Sequence, residues 1–419
     1  MAVNQEELGR RLRRAREACG LTQEQVSEHL GVSRPTVAQM ELGNRAITSL
    51  ELDRMAWLYA RDMREFVAEH FADDDIVHAL FRSHPDAGDT EVQEALRECI
   101  ALGHELTRLE EHLGLNRAIV TAASYPVASL RTKWEAIQTG ARIAQEERRR
   151  LGLGAVPAGD LVQLRESEGV RTGIVAMPDE VSGLTISHPR VGLFVVVNRN
   201  HAPVRQRFSF CHEYAHVLLD RSAVGRISRT TERTDLVEVR ANSFAANFLM
   251  PEEGVRQFVA GLGKGAASRT HTEIFDEEGV VPVDARTEPG TQDMQLYDVV
   301  QLGHFFGVSI LSALFRLRNL KLVSESQFDQ LRAQDEQGSS QLIASVLGIR
   351  TMSDVDHLGE FTRRFLGMAL EAYRRERITK AKLFELAARI HLGHDRVEQL
   401  LEGAGLNAEE PDAVLLPGA

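Results

Sequence analysis

One helix constrains this chain more than any other segment. Residues 205–219 carry a strong helical pattern, and His212-Glu213-Tyr214-Ala215-His216 stands inside it. Side chains four apart lie one above the other on a helix, so His212 and His216 share a face. Two imidazoles so placed suit one zinc ion. Glu213, the next residue round, can reach a water beside that ion. Zinc lowers the pKa of such a water to about 7, and a carboxylate can then take its proton. The same spacing also arises by chance on the surface of an amphipathic helix, so a metal site needs a third ligand. Glu238 is the best candidate. Glu238, Ala241, Ala245 and Phe248 fall on one helical face, and the small residues let that helix approach closely. An acidic group heading an otherwise apolar stripe needs a partner. Asp235 and Glu238 also read as a D-x-x-E capping pair, and the two roles do not fully exclude each other.

At 419 residues the chain is too long for one core, and about 150 residues per domain suggests roughly three. Apolar residues at 43% and charged residues at 26% are ordinary for a globular protein, which excludes a mainly disordered chain. No apolar run approaches the ~20 residues of a membrane helix. The polar, acidic start from Met1 to Glu7 does not read as a signal peptide. Cys19, Cys99 and Cys211 are widely spaced and odd in number. That fits a reducing cytoplasm and argues against a disulfide framework or a thiolate zinc site. The expectation is a cytoplasmic protein with no membrane span. A net charge of −12 does not favour nucleic acid binding by the whole chain, so charge has to be read by segment.

The first 66 or so residues read as short helices. Thr22 caps one, with Gln25 three residues on to complete a capping box, and Gly31 ends it. Ser33 starts the next, with Pro35 in its first turn, and Gly43 closes it. Thr48 and Glu51 cap a third. Two short helices joined by a tight glycine turn are the helix-turn-helix arrangement, whose second helix enters the DNA major groove. Val37 and Met40 would face inward; Arg34, Thr36 and Gln39 would face out. Arg34 and Gln39 are side chains that read guanine and adenine edges. Gln23, Asn44 and Arg45 are placed to hold phosphates. Residues 1–64 carry ten arginines against nine acidic residues, a net charge of only +1, although Arg10, Arg11, Arg13, Arg14 and Arg16 lie on one helix. A helical protein-interaction domain of similar topology is the alternative on pattern alone.

Residues 69–150 read as a helical linker or arm, with an acidic triplet at Asp73–Asp75, a breaker at His84-Pro85-Asp86 and two charged helices. The texture changes at Leu151-Gly152-Leu153-Gly154. Val170–Val175 and Gly192–Asn198 read as strands, followed by helices at 205–219 and about 236–249. Residues 261–295 have no clear period and read as a long loop or mobile insertion. Helical pattern returns at 296–331 and 353–401. The expected fold class is α+β and predominantly helical. It comprises an all-α helix-turn-helix domain (1–68), the arm (69–150), a zincin-like metallopeptidase domain with a small sheet (151–335) and a C-terminal helical region (336–419).

Leu21-Thr22-Gln23, Leu30-Gly31-Val32-Ser33 and Glu41-Leu42-Gly43 with Asn44-Arg45 resemble the Xre/Cro/CI-type helix-turn-helix family. Pro35 replaces a donor-bearing residue common there. Phe208 to His216, then Glu238-x-x-Ala241-Asn242-x-Phe244-Ala245-x-x-Phe248-Leu249-Met250-Pro251, resemble the ImmA/IrrE family of zinc metallopeptidases. Arg205-Gln206-Arg207-Phe208, Val195–Asn198 and Val308–Leu322 fit as well. Cys211 and Tyr214 depart from the commoner residues in their slots.

This second resemblance implies one zinc per chain on His212, His216 and Glu238, with Glu213 as general base and acid. It also implies a substrate, because family members cleave helix-turn-helix repressors and some are fused to Xre-type domains. The chain is therefore expected to be a transcriptional regulator. It would bind a double-stranded operator as a homodimer and cleave a repressor-type protein, or its own arm, in a stress, DNA-damage or mobile-element response. The strand near Val195 would pair with the substrate by edge addition. The alternative is a DNA-binding or antitoxin-like regulator whose zinc is structural or sensory. A third reading is a protease whose first helices recognise only a protein.

Overall fold

The computed structural model describes residues 3–19, 21–59, 61, 63–68, 71, 90–115, 123–161, 164, 167–188, 192–221, 225–229, 235–265, 269–276, 279–286, 292–349 and 357–406. The acidic triplet and His84-Pro85-Asp86 lie outside these residues. The architecture is mostly helical, with one small mixed sheet in the middle of the chain.

Among the described residues, five helices come first: α1 (Gln5–Ala18), α2 (Gln23–Leu30), α3 (Arg34–Glu41), α4 (Ser49–Leu58) and α5 (Met63–Val67). Their starts follow capping chemistry. Thr22 with Gln25, and Thr48 with Glu51, form reciprocal capping boxes. Gly31 takes a φ of 69°, ending α2 and turning the chain into α3. Ser33 sits at the cap of α3, but its hydroxyl meets that of Thr36 at 2.9 Å rather than a backbone N–H. Val26, Leu30, Val37 and Met40 are buried. Glu41 ties the unit together. Its carboxylate accepts from Arg16 Nε at 2.6 Å on α1 and from Gln23 Nε2 at 2.9 Å on α2.

Two long helices follow, α6 (Thr90–Leu113) and α7 (Lys133–Arg150). Neither is an exposed arm. α6 buries Val92, Leu96, Cys99, Ile100, Leu102, Leu106 and Leu109, a stripe at three- and four-residue spacing beneath the charges that dominate its sequence.

The sheet is built from β1 (Arg171–Val175), β2 (Val181–His188), β3 (Gly192–Asn198) and β4 (Gly225–Arg229), in the order β1-β3-β2-β4. β1 runs parallel to β3, and the other pairs are antiparallel. β3 has a neighbour on each side, so the strand at Val195 has no edge to offer a substrate. β4 is the outer strand on the other side of β2. β2 and β4 escaped sequence reading for clear reasons. β2 mixes Ser182, Gly183, Thr185 and Ser187 into its run, and β4 has a single apolar residue, Ile227.

α8 (Pro203–Leu219) lies on β2 and β3, and α9 (Leu236–Leu249) packs against α8. α8 is therefore buried continuously from Ser209 to Leu218. α7 packs along the other side of α9, and the two backbones nearly touch at Gly140. A Cβ there would meet the Arg240 carbonyl oxygen at 2.3 Å, so only glycine permits this approach.

Tyr214 points away from the histidines and donates its hydroxyl to Glu147 of α7, whose other carboxylate oxygen accepts from Tyr125 at 2.7 Å. The residue that departs from the commoner aliphatic one thus joins α8 to α7. Tyr214→Phe removes one donor from a fully buried carboxylate and is expected to cost about 1.5–3 kcal/mol. A urea midpoint equal to wild type in the metal-free chain contradicts that.

After α10 (Glu252–Gly261), part of the expected loop is a hairpin, β5 (Arg269–Asp276) with β6 (Gly279–Arg286). Thr270, Thr272 and Ile274 stand opposite Ala285, Val283 and Val281. This β-compatible pairing is hidden in the sequence by Pro282 and by the Gly-, Thr- and acid-rich composition. Four helices follow, α11 (Leu296–Phe306), α12 (Ile310–Asn319), α13 (Glu325–Glu336) and α14 (Ser339–Val346), and α14 packs back on α11. The boundary expected at 335 therefore falls inside a packed helical unit. Last come α15 (His357–Arg374), α16 (Lys380–Arg389) and α17 (His394–Gly403). α15 packs on α6 and β1, and Lys382 of α16 meets Glu105 of α6 at 3.0 Å. Among the described residues, no single helix is long and apolar enough to cross a membrane.

Candidate metal centre

α8 presents His212 and His216 one turn apart, facing the first turn of α9, where Glu238 stands. Glu238 Oε2 lies 2.9 Å from His212 Nε2, and Oε1 lies 3.4 Å from His216 Nε2. The two Nε2 atoms are 3.2 Å apart. All three residues are buried, and one ligand-type atom from each lies within 4.8 Å of the others. The capping alternative for Glu238 gives way here: Asp235 caps α9 through the Val237 N–H, while the Glu238 carboxylate turns to the histidines.

The outward ring nitrogens are held in place. His212 Nδ1 bonds Asn242 Oδ1 at 3.0 Å, and His216 Nδ1 bonds Asp220 Oδ2 at 2.8 Å. Arg240 grips both oxygens of Asp220, at 2.6 and 2.7 Å. Such partners make Nδ1 the protonated nitrogen and leave Nε2 for a metal. Burial works against a charge on His216, yet hydrogen bonds to Asp220 and Glu238 hold its pKa up at about 9. Burial also opposes ionisation of Glu238, but its bonds to His212 and His216 keep its carboxyl well below the usual range. Without an ion, the cluster retains a proton to balance the carboxylate. Two imidazole nitrogens and one carboxylate oxygen converging on one place are a donor set that fits a divalent cation such as zinc.

Glu213 projects from the sheet side of α8 and is 0% exposed. Its Oε2 accepts from Thr185 Oγ1 on β2 at 2.7 Å. Its Oε1 is buried without a hydrogen-bond partner among the described residues. Gly183, two residues before Thr185, makes the room: a Cβ there would lie 2.7 Å from that oxygen. A cleft of about 740 Å³ opens over His212 and Glu238, with Asp179, Glu180, Arg205 and Phe208 on its rim. Asn198, the end of the strand read from sequence, shapes that rim. Its amide donates to the carbonyls of Met177, Pro178 and Val181 and so holds the β1–β2 turn.

Asp220, Thr185, Gly183 and Arg226 were not singled out by sequence reading. Asp220 carried a signal, being four residues after His216. The others lie on strands whose pairing brings them to the site.

In the N-terminal unit, Arg34 and Gln39 are exposed on α3. Asn44 donates to Gln39 Oε1 at 2.9 Å, Thr36 meets Ser33, and Arg45 pairs with Glu51. Gln23 has given one amide hydrogen to Glu41 and has one left for an outside partner. The arginines of α1 do not form one free face. Arg11 is buried and donates to the carbonyls of Phe66 and Ala68, and Arg16 is buried against Glu41, leaving Arg10, Arg13 and Arg14 exposed.

Comparison with known families agrees with both resemblances. Residues 7–67 match the family model described as a helix-turn-helix domain. Residues 166–274 match the M78 peptidase family model, described as an IrrE N-terminal-like domain. The chain thus joins a helix-turn-helix DNA-binding domain to an M78-type peptidase domain whose His-His-Glu group can hold a metal ion. No curated protein matches the chain.

Proposed function

We propose that this protein is a cytoplasmic, DNA-bound regulator whose central domain is a zinc-dependent endopeptidase acting on a repressor-type protein. The observation that carries this reading is the convergence of His212, His216 and Glu238 beneath an open cleft. His212 and His216 through Nε2 and Glu238 through Oε2 are the residues that would hold the ion. When bound, a zinc ion polarises a scissile carbonyl and lowers the pKa of a water to about 7.

The remaining work falls to the chain's own side chains. Glu213 takes a proton from the attacking water and returns it to the leaving amine. Thr185 occupies Oε2, so Oε1 is the oxygen left for that proton. Packing of α6 and α7 disfavours cleavage within either helix. The cut then falls on a second protein, held near by the DNA domain at high effective concentration, or elsewhere in this chain. The trigger is a stress, DNA-damage or mobile-element signal. A structural or sensory metal is the competing reading, and the full burial of Glu213 favours it; the cleft over His212 favours the peptidase. The deciding experiment is to incubate the zinc-loaded chain with helix-turn-helix repressors and read fragments by mass spectrometry. Zinc-dependent cuts support the peptidase; intact repressors, with the chain itself also uncut, favour the structural reading.

For DNA, the reading is a homodimer on a pseudo-palindrome, since one module of net charge +1 offers few contacts. Gln39→Ala is expected to relax base preference at one position and cost about 1–3 kcal/mol. Arg11, although on the arginine-rich helix, is no phosphate contact in this reading, because its guanidinium is spent on backbone carbonyls. A binding selection in which Gln39→Ala and wild type choose the same sequence with equal affinity removes Gln39 from the interface.

A further inference from the structure

We propose that Arg226, on the outer strand β4, is a positioning residue that sets how Glu238 meets the metal; this rests on the metal-site reading above. Arg226 Nε lies 2.6 Å from Glu238 Oε1, and its Nη2 donates to Asp235 on the same turn of α9. The guanidinium thus bridges two carboxylates three residues apart. It engages Oε1 and leaves Oε2, the oxygen 2.9 Å from His212 Nε2, as the free donor. The Arg226 side chain is 22% exposed, so the contact is only partly screened by water.

The sheet register makes this more than a stray ion pair. Thr185 and Arg226 stand directly opposite each other on β2 and β4, and residues so paired project to the same face. Thr185 holds one oxygen of Glu213, and Arg226 holds one oxygen of Glu238. One cross-strand pair therefore fixes both carboxylates of the site, each by one oxygen, and leaves each the other oxygen. Arg226 restricts Glu238 to offering one oxygen, because a charge-assisted hydrogen bond engages the other.

The test uses the full chain, with Arg226→Ala and Arg226→Lys beside wild type. Zinc affinity is measured by competition with a chromophoric chelator, and the site is then loaded with cobalt(II) and its visible absorption recorded. Loss of an outer partner typically weakens metal binding about 10- to 100-fold, and that loss is expected for Arg226→Ala. A carboxylate released to offer both oxygens raises the coordination number, so the visible cobalt bands are expected to weaken as well. Arg226→Lys keeps a cation but not the fork, and is expected to recover part of the affinity. Wild-type affinity and spectrum in both variants overturn the role of Arg226. A wild-type chain that binds neither ion overturns the metal-site reading itself, and this proposal with it.

Discussion

Glu213→Gln is expected to lower cleavage by about 100- to 10,000-fold, the usual contribution of a general base, while the chain keeps its metal and its DNA binding. The substitution is nearly isosteric, and the carboxamide oxygen can still accept from Thr185 Oγ1 across the present 2.7 Å. The carboxamide NH2 then stands where Oε1 now waits without a partner, and it cannot take a proton. Glu213 is not part of the His-His-Glu group, so zinc content should stay near one per chain. The assay compares fragment formation, elemental zinc and operator binding in the two proteins. It also compares expression from a regulated promoter before and after an inducing stress. Equal regulation in both variants under every inducing condition would mean the site is not the switch, and the structural or sensory reading would replace it.

His216→Ala is expected to empty the metal site. The loss should exceed the about 10- to 100-fold that an outer partner costs, because a donor atom itself is gone. It should also leave Asp220 and Arg240 without the imidazole they now orient. Elemental analysis showing full zinc in this variant would sink the assignment. The same residue predicts a pH dependence in wild type. With no metal bound, burial opposes its charge but Asp220 and Glu238 hold the pKa of His216 at about 9, so a proton occupies the site at neutral pH. Metal uptake must displace it, and affinity is expected to rise about tenfold per pH unit between 7 and 9, then level off. A flat profile across that window contradicts the arrangement.

Local rules carried the sequence reading well where the structure is itself local. The capping boxes at Thr22 and Thr48 and the left-handed Gly31 each depend on residues within a few positions. The same holds for the i, i+4 histidines. Where an element depends on distant partners, the reading faltered. α6 looked like an exposed charged helix, because its buried stripe has meaning only once α15 and the sheet cover it. β2 and β4 are too polar to announce themselves, and β5 with β6 becomes legible only as a register.

By itself, then, the sequence determined the helical starts and stops, the histidine pair, and Glu238 as the candidate third ligand. Those follow from backbone periodicity and from the chemistry of each side chain. The tertiary structure alone decided that Glu238 turns to the histidines rather than to its own helix cap. It also decided that Tyr214 serves the α7 contact, that Arg11 is structural, and that β3 lies inside the sheet between β1 and β2. Each of these depends on what packs from far away in the chain, and burial makes such contacts decisive. A charged or polar group removed from water must take whichever partner the fold brings within reach.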